Sequence, residues 1–224
     1  MDAIDGASLA FSSVLTRFEK GLPAWYFYGY QYEGVNPENG QPIYTDFSKD
    51  GQIGEDDKTY IGKGIPDYTY GITLNAAWKG IDLMVFGSGV GGVNIFNLYD
   101  VSTAFTNNIL TCYTDDRWTP DHTNATMPIA SADQKMFLAS TAHVFNGSYF
   151  KIKQIQLGYT LPEKIMQKIK MERIRAYCSL ENFFTFSDYP GYDPEVVGAG
   201  NAAGIDMGLY PSSKKIVFGL NVTF

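Results

Sequence analysis

The last ten residues constrain the fold more than any other part of the chain. Residues 215–224 read Lys-Ile-Val-Phe-Gly-Leu-Asn-Val-Thr-Phe. In an extended backbone Ile216, Phe218, Leu220, Val222 and Phe224 share one face, and Lys215, Val217, Gly219, Asn221 and Thr223 share the other. A helix would scatter the apolar set around its axis, whereas a strand, with a side-chain period of two, collects it on one side. A strand of a soluble sandwich gives this pattern too; Phe218, Leu220, Val222 and Phe224 lie on the apolar face, and a strand with a free end is prone to fray.

The same period recurs upstream. Over 68–78, Tyr68, Tyr70, Ile72, Leu74, Ala76 and Trp78 alternate with Thr69, Gly71, Thr73, Asn75 and Ala77. A tight turn at Lys79-Gly80 follows, and Ile81, Leu83 and Val85 then oppose Asp82 and Ser88. Over 173–186, Ile174, Ala176, Cys178, Leu180, Phe184 and Phe186 oppose Arg173, Arg175, Tyr177, Ser179 and Glu181. Segment 149–161 alternates with a phase slip near Lys153-Gln154, which predicts a β-bulge. Segment 22–32 is aromatic on both faces, so its inside is not assigned. Six strands are expected: 22–32, 67–78, 81–89, 148–160, 173–186 and 214–224.

One face of these strands is apolar with aromatics at both ends, and the other is small and polar. That is the pattern of strands with lipid outside and a wet lumen inside. Composition agrees: aromatic residues make up 15% and charged residues only 18%, and no apolar stretch is long enough for a spanning helix. With 17 Lys and Arg against 24 Asp and Glu, the net charge is −7. So acidic a chain is a poor nucleic-acid ligand, because phosphate neutralisation needs a basic surface. The connections 33–66, 90–147 and 187–213 are long, and 79–80 and 161–172 are short. Outer-membrane barrels have long outer loops and short periplasmic turns, which orients the strands. Residues 163–172 could form a short helix. Six strands cannot close a single-chain barrel, which needs eight or more. An open sheet would leave two bare edges, so a portion of a larger barrel is expected. The first residues carry no basic start or apolar stretch of a secretory signal.

Several motifs, taken in order, resemble one family. They include Tyr-Phe-Tyr-Gly-Tyr at 26–30, Asp-Gly-Gln-Ile at 50–53, Pro-Asp-Tyr-Thr-Tyr-Gly at 66–71 and Asp-Arg-Trp-Thr-Pro at 116–120. Gly-Ser-Tyr-Phe-Lys-Ile-Lys at 147–153, Leu-Gly-Tyr-Thr-Leu-Pro at 157–162, Glu-Asn-Phe-Phe-Thr-Phe at 181–186 and Gly-Tyr-Asp-Pro-Glu at 191–195 follow. The chain resembles the C-terminal portion of SusC/RagA-like TonB-dependent outer-membrane transporters. The resemblance covers nearly everything after about residue 20. It implies an all-β fold of antiparallel up-and-down strands, forming part of a large plugged barrel with long extracellular loops. It also implies TonB-driven import of oligosaccharides or peptides, a SusD-like surface lipoprotein as partner, and outer-membrane lipid around the strands. The terminal strand ending in Phe224 would be the assembly signal read by the barrel-insertion machinery.

Residues 46–57 follow the register of a calcium loop. Asp46 takes position 1, Ser48 position 3, Asp50 position 5, Gly51 the sharp turn, Gln52 the carbonyl position and Asp57 position 12. Ca²⁺ needs 6–8 oxygens, and Ser48 and Asp57 offer fewer than the usual ligands. The expectation is a weak structural clip with affinity of about 10⁻⁴–10⁻³ M; the bland reading is an acidic solvated turn. Gly87-x-Gly89-x-x-Gly92 matches a dinucleotide fingerprint but lacks the βαβ setting. No G-x-S-x-G elbow occurs, so no catalysis is expected. Trp118, Tyr189, Tyr192 and Tyr210 could stack on sugar rings or simply pack the loops. Arg173, Arg175, Lys151 and Lys153 would line the lumen, where salt bridging to Asp82 or Glu181 is the bland reading. The competing reading of the whole chain is a soluble, secreted β-sandwich with a structural calcium loop.

Overall fold

The computed structural model describes residues 3–8, 13–98, 114–130, 135–196, 198 and 200–224. Along the chain the strands are β1 (Ile4–Asp5), β2 (Thr16–Phe18), β3 (Tyr26–Gly29), β4 (Tyr32–Val35), β5 (Pro42–Tyr44), β6 (Thr59–Gly62) and β7 (Tyr68–Trp78). They continue with β8 (Ile81–Gly91), β9 (Asn94–Asn97), β10 (Val144–Asn146), β11 (Tyr149–Thr160), β12 (Arg173–Ser187), β13 (Ile205–Asp206) and β14 (Lys215–Thr223). Short α-helices α1 (Lys135–Leu138) and α2 (Glu163–Ile169) are among the described elements. The chain divides into two compact units. One combines residues 1–66, 93–147 and 189–209; the other combines 67–92, 148–188 and 210–224.

The second unit is a five-stranded antiparallel sheet in the order β14-β12-β11-β8-β7. Each strand pairs with the strand before it in the sheet, so the chain runs up and down without a crossover. Five of the six expected strands appear here, with bounds within two residues of those read from the sequence. Lys79 and Gly80 turn the β7–β8 hairpin with φ of 48° and 88°. Two consecutive left-handed residues match the twist of the strands they join. The phase slip in β11 is a register shift between Ile152 and Gln154, seen against both neighbours. Asn182, at φ 58°, takes up the extra length on β12.

The sixth expected strand is corrected by the structure. Residues 22–32 do not join this sheet. They give β3, paired with β2 and β6, and β4, paired with β5, in the first unit. The reason is burial: every residue of β3 is buried, so it is apolar on both faces because both are covered. A lipid-facing strand would keep one face open.

The first unit is built from the long connections. Its sheets are β1-β2-β3-β6, β10-β9-β13 and the β4–β5 hairpin. Leu15, Phe27, Tyr30, Ile61, Phe96, Leu98, Leu138, Ala139 and Ile205 form its core. Phe27 meets Phe96 edge-on at 5.5 Å between ring centres, a favoured aromatic geometry.

Candidate functional site

The functional surfaces of the five-stranded sheet are its two faces. Pairing places Ile72, Gly87 and Ile152 side by side, and likewise Leu74, Val85, Ile155, Leu180 and Ile216. Leu83, Leu157, Cys178 and Phe218 form the next row. Register therefore lines up apolar residues from all five strands on one face, while Met84, Phe86, Val90 and Val217 fall on the other. Most large side chains of the apolar face are exposed, with Phe218 at 80% and Leu220 at 64%. A contiguous apolar surface of this size does not belong in water and marks a membrane or partner interface.

Glycines shape the same face. The Tyr70 and Phe150 rings lie parallel, 5.9 Å apart, and Phe150 stacks on Phe186 at 6.3 Å. A Cβ on Gly89 would come within 2.7 Å of the Tyr70 ring, and one on Gly87 within 2.5 Å of Phe150. The Gly87-x-Gly89 pair is thus a bare track in β8 over which aromatic rings of neighbouring strands lie. Its fingerprint-like spacing serves packing.

The opposite face carries Thr69, Asn75, Asp82, Ser88, Lys151, Gln154, Gln156, Ser179, Arg175, Glu181 and Asn221. Arg175 bridges to Asp82 through two contacts, Nε to Oδ1 at 2.9 Å and Nη2 to Oδ2. The pair spans an intervening strand, where Gly158 faces Asp82 and Tyr177. A Cβ at Gly158 would lie 2.6 Å from the Asp82 carboxylate. Gln154 donates to Ser179 at 3.1 Å. Of the lumen-lining cations expected from sequence, Arg175 is therefore held in a cross-strand pair.

In the first unit, residues 46–57 form one closed loop. Asp46 Oδ1 accepts from the Lys49 N–H at 2.6 Å and from the Ser48 hydroxyl at 3.1 Å; its Oδ2 accepts from the Gly51 N–H at 2.9 Å. Asp50 Oδ1 accepts from the Gln52 N–H at 2.7 Å. Gly51, at φ 80°, makes the sharp turn its position requires. Asp57 is buried and accepts from the Ser48 N–H at 2.9 Å and the Gly54 N–H at 2.8 Å. Those N–H groups, Ser48 first, hold its carboxyl below the usual range. The carboxylates are thus directed at backbone donors. Among the described residues, no three His, Cys, Asp or Glu side chains are grouped to hold a metal.

The four loop aromatics separate. Trp118 is buried, donates from Nε1 to the Pro37 carbonyl at 3.1 Å and lies on Gly40, where a Cβ would be 2.5 Å from its ring. Tyr189 is buried against Phe145 and donates to Asp206 at 2.6 Å. These two are packing residues, because both their rings and their polar tips are already engaged. Tyr192 and Tyr210 are exposed.

One arrangement escaped the sequence reading. Phe27 points into the core, while Tyr26, Tyr28 and Tyr30 meet charged partners. The Arg17 guanidinium lies 3.7 Å from the Tyr28 ring centre, and Tyr26 donates to Glu19 at 3.2 Å. Lys58, its side chain fully buried, pairs with Glu55 at 2.8 Å and lies 5.4 Å from the Tyr30 ring centre. Burial, then Glu19, pushes the Tyr26 hydroxyl up to about 12. Tyr at every second position from 26 to 30 was the available signal.

Comparison with known proteins now fits this geometry. No family model matches the chain. TonB-dependent receptor P3 of Formosa agariphila is 30% identical over 222 residues, covering 88% of this chain and 22% of the receptor. TonB-dependent receptor SusC of Bacteroides thetaiotaomicron is 28% identical over 208 residues, covering 87% of this chain and 19% of SusC. The solved RagAB peptide transporter superposes with a TM-score of 0.78 at 25% identity, over 94% of this chain and 24% of that one. The RagAB importer in its open-open state gives the same TM-score over 99% of this chain. The chain spans about a fifth of the length of the curated relatives it matches. The fold is that of an antiparallel barrel wall of the outer-membrane type, open here because five strands do not close. Within that class, the chain is related in sequence and structure to the SusC/RagA-like TonB-dependent receptors.

Proposed function

We propose that this chain is a portion of an outer-membrane TonB-dependent transporter. In that reading its five-stranded sheet is a section of barrel wall, with lipid on the apolar face and the solute pathway on the polar face. The observation that carries it is the exposed apolar face, continuous across all five strands. The solute would be an oligosaccharide or a peptide, taken up with a SusD-like lipoprotein and driven by the TonB complex. The relatives support this: one is SusC, and another is the RagAB peptide transporter. They are named as receptors and transporters, not enzymes. A soluble sandwich would need a second layer over the apolar face, and the sheet has none within its own unit.

The test is the environment of adjacent residues in the intact protein that carries this chain. Nitroxide labels at Leu220→Cys and Asn221→Cys, in a cysteine-free background, are compared in lipid nanodiscs. The 220 label should collide with oxygen and be shielded from a water-soluble nickel complex, and the 221 label should do the reverse. Equal access of nickel to both would overturn the reading. The assembly role of Phe218, Leu220, Val222 and Phe224 is part of the proposal: Phe224→Ala lowers the yield of folded barrel in cells.

The loop 46–57 is read as self-closed, taking Ca²⁺ only in the weak range of about 10⁻⁴–10⁻³ M. To act as a ligand, Asp57 would have to release the Ser48 and Gly54 N–H groups. At 0.1 mM Ca²⁺, about the tight edge of that range, the loop amides should exchange almost as they do in chelator. Strong protection at that concentration would sink this reading.

A further inference from the structure

The short-turn end of the five-stranded sheet concentrates basic and aromatic side chains. Backbone hydrogen bonds tie it into one rim: Thr160 N–H to Gly80 O at 2.7 Å, Leu161 N–H to Ile174 O at 3.0 Å, and Glu172 N–H to Thr223 O at 2.9 Å. The β7–β8 turn, both ends of the α2 connection and the end of β14 are therefore adjacent. In a chain of net charge −7, this rim holds Lys79, Lys164, Lys168, Lys170 and Arg173 against Glu163 and Glu172.

Helix α2 is patterned for an interface. Met166 is its buried residue. Ile165 and Ile169, four apart and each 45% exposed, make one stripe along the helix. Lys164 and Lys168, also four apart, make the neighbouring stripe. An exposed apolar stripe beside a lysine stripe is how a helix lies in a lipid headgroup layer, with apolar side chains down and ammonium groups at phosphate level. The rest of the rim supports the same depth. Trp78 is 67% exposed with the Lys79 ammonium 4.6 Å from its ring centre, and Tyr159 on the adjoining hairpin is also exposed. Aromatic and basic side chains together mark a membrane–water boundary.

We propose that this rim, centred on α2 and Lys79, binds the headgroups of anionic phospholipids. The proposal rests on the barrel-wall reading above. Lys164, Lys168 and Lys79 engage the lipid phosphates, while Ile165 and Ile169 enter the acyl boundary beside them. Five basic residues against two glutamates leave the rim net positive and complementary to an acidic lipid.

The experiment uses the intact transporter in nanodiscs of equal phosphatidylglycerol and phosphatidylethanolamine. The ratio of the two lipids retained on release is read by native mass spectrometry. Lys164→Gln with Lys168→Gln should lower the retained anionic fraction, by up to about fivefold per lysine removed. Lys164→Arg with Lys168→Arg should hold it near the original value. An unchanged ratio in the glutamine pair would overturn the proposal, as would an equal loss in the arginine pair. The Leu220 label separates the two readings. If it remains lipid-exposed while the glutamine pair has no effect, only the headgroup site fails. If it is water-exposed, the barrel-wall reading fails with it.

Discussion

At the scale of the residue, this protein spends glycine where side chains from other strands must pass. Gly158 lets Arg175 reach Asp82 across β11, and Gly87 and Gly89 lie under aromatic rings. Gly158→Val should therefore separate the Arg175–Asp82 pair and cost about 1–3 kcal/mol, the usual range for overpacking. The check is the heat required to unfold the intact barrel, read by gel mobility. His143 is a different case. It is buried, packs edge-on against Phe137 at 5.1 Å, and its Nε2 has no hydrogen-bond partner among the described residues. Burial pushes the imidazole down to about 4, against about 6.5 in an unfolded chain. Between those values the unfolded chain holds a proton that the folded one lacks. Stability is thus full above about 6.5 and falls as pH drops towards 4, by roughly 3 kcal/mol at most. The imidazole also hydrogen-bonds the Asn97 backbone, so in His143→Phe hydrogen exchange over 135–147 should lose this pH dependence, with a constant offset for the bond removed.

At the scale of the element, the 46–57 loop and the strands follow different rules. The loop is held by carboxylates accepting backbone N–H groups, and Asp57 is the buried one. Its depressed carboxyl contributes stability above the unfolded value near 4, and that contribution is lost as pH falls through the lower folded value. Asp57→Ala should expose the Ser48 and Gly54 amides to exchange, whereas Asp50→Ala should release the Gln52 amide alone. The strands of the sheet were legible because their two faces differ in polarity, and one apolar face opposite a polar one writes a period of two into the sequence. β3 was not legible as a short buried strand. Covered on both faces, it has no alternation to read, and Tyr-Phe-Tyr-Gly-Tyr looked like a longer membrane strand. The same ambiguity affects Trp118 and Tyr189. A loop aromatic that packs and one that waits for a sugar have the same letter, and only the Pro37 and Asp206 contacts separate them.

At the scale of the whole molecule, the prediction concerns the two faces. Ile216→Arg puts a charge among lipid-facing side chains in the central row of Leu74, Val85, Ile155 and Leu180 and should cost about 2–4 kcal/mol. Val217→Arg, one residue on and facing the polar side, should be close to neutral. The measurement is the fraction of folded barrel recovered from membranes for each variant. Equal losses would mean that both faces are solvated alike. The two units also divide the work physically. One has a core of its own around Phe27 and Phe96, and the other is a single layer whose apolar side needs an external medium.

The sequence by itself determined the five strands of the sheet, their faces, the Lys79-Gly80 turn and the bulge in β11. Each is a local rule, a period of two, a turn residue or a slip of phase, and a local rule survives in one dimension. Tertiary structure alone decided that residues 22–32 leave the sheet and that Arg175 takes Asp82 through the gap at Gly158. It also turned Asp57 to backbone donors and brought Lys79 onto one rim with α2. Those outcomes depend on which distant groups arrive within a few ångströms of one another. That is set by register and packing across dozens of residues, and no short window of sequence carries it.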